Sequence, residues 1–76
     1  MNNATTKGNG IIISILEKDT YKTEKVIFRE LFGTWPNPQK DNIAIIEINI
    51  ALCKMADLGQ VKHQIKNHKN VWSRAN

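Results

Sequence analysis

Cysteine is all but missing from this chain. Cys53 stands alone, and a single thiol closes no internal disulfide, so the fold is not stapled in the way of small secreted domains. A reducing cytoplasm is the expected compartment, since Met1 to Gly10 also lacks the apolar stretch of a secretion signal. Long hydrophobic runs are missing too. Ile43 to Leu52 is broken by Glu47 and Asn49, far short of the roughly 20 residues that span a bilayer, so no membrane partner is expected. There is no glycine-rich phosphate loop, acid pair, sustained heptad or internal repeat, which removes the corresponding reaction and assembly classes. Soft metal ligands are limited to Cys53, His63 and His68, short of a tetrahedral zinc set and without its paired spacing. They also lack the orienting group of a nucleophile and base pair. No catalytic residue, metal or cofactor is expected, and Cys53 is read as a core residue with both histidines in solvent.

Acidic residues are absent from one stretch in particular. Gln60 to Asn76 holds Lys62, Lys66, Lys69 and Arg74 and no Asp or Glu, whereas the first fifty-nine residues balance seven basic side chains against seven acidic ones. The whole formal charge of +4 therefore sits at the C-terminal end. Clustered cations without neighbouring acids suit contact with a polyanion, although they also serve as a solvated face that keeps a protein soluble. A disordered basic arm would lack large apolar residues. This one has Val61, Ile65, Val71 and Trp72 around the polar break Asn67-His68-Lys69-Asn70, which predicts a β-hairpin with Lys62, Lys66 and Lys69 projecting from one strand and the turn.

Length allows one domain. Hydrophobic residues at 41 % and aromatics at 7 % suffice for a small core. Residues 1–9 are nearly devoid of apolar side chains and read as a flexible leader, with a single domain over residues 10–76. Ile11 to Leu16 fits either a short buried strand or a helix with Ile12, Ile15 and Leu16 on its stripe, and helix is preferred. Asp19-Thr20-Tyr21-Lys22 reads as a polar loop. A second helix from Thr23 to Phe32 follows, with Thr23 as N-cap, Glu24 in the first turn and Gly33 as the stop.

Pro36 and Pro38 exclude helix interior, but Asn37 before Pro38 suits a helix start, so the third helix is predicted from Pro38 to Asp57. At 100° per residue its core stripe is Ile45, Ile48, Leu52, Met55 and Ala56. Gln39, Ile43, Ile46, Glu47, Ile50 and Lys54 lie opposite. Leu58-Gly59 ends the helix, with Gly59 in the left-handed cap. Trp35 is expected to fill the space between the second and third helices, and Trp72 to close the sheet on the third.

The predicted class is thus α+β, mostly α: three helices followed by a C-terminal hairpin. Leu58-Gly59-Gln60-Val61-Lys62 through Val71-Trp72-Ser73-Arg74, after two upstream helices, resembles the junction of winged helix-turn-helix domains in small bacterial and phage transcription regulators. The resemblance spans about residues 10–74. It implies double-stranded DNA as partner, with phosphate contacts from Lys62, Lys66, Lys69 and Arg74. Base contacts are implied for Gln39, Lys40, Asn42, Ile43, Ile46 and Glu47 on a helix in the major groove. A bacterial or phage origin also fits a chain in which Ile, Lys and Asn, all with codons rich in A and T, are the commonest residues. The Ile43, Ile46 and Ile50 row supports another reading: plain core, or an interface for a homodimer or a protein partner, as in a phage- or mobile-element-encoded inhibitor or adaptor.

Overall fold

In the computed structural model, which describes residues 10–75, the run of isoleucines settles as a helix. Ile12 and Leu16, four apart, are both buried, whereas Ser14 midway between them is exposed; strand alternation would have put all three on one side. Helix α1 covers residues 10–15. It is followed by β1 (Lys22–Thr23), α2 (Glu24–Phe32), α3 (Asn42–Asp57), β2 (Val61–Lys66) and β3 (Lys69–Arg74). The three strands form one antiparallel sheet in the order β1-β3-β2. The fold is α+β, three helices with a C-terminal hairpin. The leader assigned to residues 1–9 lies outside the described residues.

Lys22 does not belong to a loop as expected. It pairs with Trp72, and Thr23 with Val71, because β3 is rich in strand-forming residues and offers an edge. A two-residue strand is too short to leave a period in sequence. Thr23 then starts α2 as anticipated: its backbone is extended and its Oγ1 accepts from Val26 N at 3.3 Å. Gly33 ends the helix at φ 79°, its N–H donating to Arg29 O.

The start of α3 differs from the expected Pro38. Asn37 does not cap a helix: its Oδ1 accepts from Gln39 N at 2.8 Å in an Asx turn, and Asp41 Oδ2 accepts from Asn37 N at 2.7 Å. Residues 37–41 close on themselves as a single turn. With its carboxylate so engaged, and its backbone at φ −103°, ψ 11°, Asp41 separates that turn from α3, which begins at Asn42 without a side-chain cap. The C-terminus follows the sequence closely. Gly59 sits at φ 77°, Gly59 N donates to Ala56 O, and Gln60 N to Met55 O, the paired bonds of a Schellman cap.

The hairpin turn is tighter than the four residues expected. Only Asn67 and His68 form it, at φ 52° and 65°, a two-residue turn with both centres left-handed whose twist matches the flanking strands. Lys69 and Asn70 join β3 instead.

Ile12, Leu16, Ile27, Phe28, Ile48, Leu52, Met55, Val61 and Trp72 make one core, with Ile45 and Ala56 packed against it. The predicted α3 stripe is therefore the buried one, and Trp72, 2 % exposed, closes the sheet on the helices. Trp35 does not. It is 57 % exposed and lies under the Arg29 guanidinium, 5.2 Å from the ring centroid, because Ile27, Phe28, Ile48 and Leu52 already fill the space it was expected to occupy. Cys53 is exposed as well: it falls on the edge of α3, beside Asn49, rather than on the core stripe.

Candidate functional site

Register decides which side chains of the hairpin act together. Residues directly opposite in an antiparallel pair share a sheet side, and alternate residues along a strand take opposite sides. Trp72 and Val61 belong to the core, so their side faces the helices. His63 and Lys22, both opposite Trp72, share that side, as does Arg74, opposite Val61. Lys22 shows where the helices stand: its Nζ donates to Ile15 O at 2.6 Å and to Glu30 Oε1 at 2.7 Å.

The other side carries Lys62, Gln64 and Lys66 from β2, Lys69, Val71 and Ser73 from β3, and Thr23 from β1. None of these strand residues is acidic. Lys62, Lys66 and Lys69 are all exposed, and Lys66 stands directly opposite Lys69, which puts their Cβ atoms about 5 Å apart. Lys66 Nζ also sits 4.9 Å from the Tyr21 ring centroid, a cation over an aromatic face. Of the four cations expected to contact phosphate, three are thus brought together. Arg74 is not: it is half-buried on the helix-facing side, at the end of β3, where its N–H donates to Glu17 O.

The residues expected to read bases are exposed but lie elsewhere. Gln39 and Lys40 belong to the isolated turn, and Asn42, Ile43, Ile46 and Glu47 to the outer side of α3. Ile43, Ile46 and Ile50 are 72 %, 50 % and 49 % exposed, so the row is surface rather than core. The hairpin side nearest to α3 is the one with His63, Ile65 and Asn70, not the one with the lysines.

Between α3 and that hairpin side lies an open cleft of about 370 Å³, lined by Asn49, Cys53, Asp57, His63, Asn70 and Trp72. His63 stacks on Trp72 at 4.4 Å between centroids and its Nε2 donates to Asn70 Oδ1 at 2.8 Å. Behind the cleft, Glu24 Oε2 accepts from both Asn49 Nδ2 (2.6 Å) and Trp72 Nε1 (3.3 Å), tying α2, α3 and β3 together. The sequence marked Glu24 only as a first-turn acid. Partners 25 and 48 residues away leave no local signal.

No protein family, curated protein or solved structure matches this chain. Among the described residues there is no cluster of three or more His, Cys, Asp or Glu suited to a metal ion, and no helix long and apolar enough to cross a membrane. What the arrangement offers chemically is ammonium charge on an acid-free strand side and an unpaired apolar helix row.

Proposed function

We propose that this protein is a small DNA-binding regulator that holds duplex DNA by its phosphates through the hairpin. The observation carrying this reading is the shared position of Lys62, Lys66 and Lys69 on a strand side without acids. Like charges placed directly opposite destabilise an antiparallel pair, so Lys66 facing Lys69 costs the fold something that a bound phosphate would return. Three helices followed by a C-terminal basic hairpin also agree with the winged helix-turn-helix resemblance. That resemblance places Gln39, Lys40, Asn42, Ile43, Ile46 and Glu47 in the major groove. Separation of that face from the lysine side favours a contact dominated by phosphates, with weak sequence preference.

The test is binding of a labelled duplex by the triple variant Lys62→Glu, Lys66→Glu, Lys69→Glu. All three side chains are exposed, so circular dichroism should show an intact fold while affinity drops by two orders of magnitude or more. Unchanged affinity would remove the reading. A second reading, a protein-interaction module working as an inhibitor or adaptor, rests on Ile43, Ile46 and Ile50. It is favoured if the triple variant keeps biological activity while Ile46→Ser with Ile50→Ser loses it.

A further inference from the structure

The outer row of α3 has a spacing that the polyanion contact does not use. Ile43, Ile46, Ile50 and Cys53 recur at three, four and three residues, the interval that keeps a seam on one side of a helix facing a partner helix. All four are exposed. Glu47 and Lys54 lie together on one flank of the seam, since seven residues return to nearly the same angle. The opposite flank, through Asn49, borders the cleft and the hairpin.

We propose that this row docks on the same row of a second copy, with the two α3 helices antiparallel. A seam spaced three, four, three pairs with itself in that orientation: Ile46 meets Ile50 of the other copy, and Ile43 meets its Cys53. The flanking charges match as well. Helical side chains lean toward their own N-terminus, so antiparallel pairing inclines each Glu47 toward the Lys54 of the other copy, and two opposite-charge contacts form on one flank. A parallel pairing would instead set Glu47 and Lys54 against Asn42 and Asn49 of the other copy, and neither opposite-charge contact would form.

Area sets the strength. Three isoleucines half to three-quarters exposed offer roughly 300 Å² per copy, about 600 Å² between two copies, against the 1,200 Å² or more of a stable interface. The pairing is therefore weak in dilute solution and grows where copies are held close, since a tether or template raises effective concentration. The three hairpin lysines are exposed on the sheet side opposite the one that borders α3 and the cleft, so the pair leaves them free to contact a polyanion.

Disulfide trapping without nucleic acid tests this independently of the DNA reading. In Ile43→Cys, the new thiol is placed against Cys53 of the other copy. With oxidised glutathione as two-electron acceptor, this variant should give a covalent dimer on a non-reducing gel at least tenfold faster than the unmodified protein. In antiparallel pairing the two native Cys53 residues are too far apart to bond. Ile43→Cys with Cys53→Ser should stay monomeric, and adding Ile46→Glu to Ile43→Cys should abolish the fast dimer. Equal rates in all variants would mean random collision and overturn the proposal. Fast dimerisation of the unmodified protein, or of the Ile43→Cys, Cys53→Ser variant, would overturn it too, since either requires parallel helices.

Discussion

At the scale of single residues, Lys66 separates the needs of the fold from those of binding. Lys66→Glu turns a like-charge cross-strand pair into an attractive one with Lys69. The variant should gain a few tenths of a kcal/mol in urea unfolding, after solvent screening, while its affinity for duplex DNA falls. Glu24 behaves in the opposite way. Glu24→Ala strands Asn49 Nδ2 and the nearly buried Trp72 Nε1, and should cost about 2 kcal/mol in the same assay with DNA contacts untouched. Trp35→Ala should change stability by less than about 0.5 kcal/mol, because the ring is 57 % exposed and stands outside the core cluster. The residues legible in sequence were those whose role is local: Thr23, Gly33 and Gly59 cap from their own backbone positions. Trp35 and Cys53 depart from their expected places because burial depends on partners far along the chain, and the sheet side taken by Arg74 likewise leaves no local signal.

At the scale of elements, periodicity carried α2 and the core stripe of α3, since a 3.6-residue repeat over nine or sixteen residues is a strong signal. Element ends fared less well. Asn37 N donates to Asp41 Oδ2 and Asp41 N to Asn37 O, a closed turn that competes with helix initiation at Pro38, and β1 is set wholly by pairing with β3. The hairpin turn offers a direct check. His68 takes φ 65°, where a side chain is disfavoured and glycine is at ease. His68→Gly should raise the unfolding free energy by about 0.5–1 kcal/mol, read from the denaturation midpoint at unchanged slope. Gly59→Ala should lower it by about 1 kcal/mol, since the Schellman cap holds that residue at φ 77°. Opposite signs at two left-handed positions would show that backbone conformation, rather than contact loss, governs both.

At the scale of the whole molecule, the sheet divides the surface. Val61, Trp72, the cleft and the Ile65, Asn70 part of the hairpin occupy one side; the exposed Lys62, Lys66 and Lys69 occupy the other, where Val71 and Ser73 of the central strand are buried. Sequence located the charge in the last seventeen residues but could not show that register would gather three of its four cations and set Arg74 apart. That grouping is the ground of the functional reading, and salt dependence tests it most directly. For a labelled duplex titrated across a salt series, three lysines on phosphates should make log K fall with log salt at a slope of about −3, with about one unit lost for each lysine changed to Ala. A slope near zero, or one unchanged in the Lys62→Ala, Lys66→Ala, Lys69→Ala variant, would contradict it.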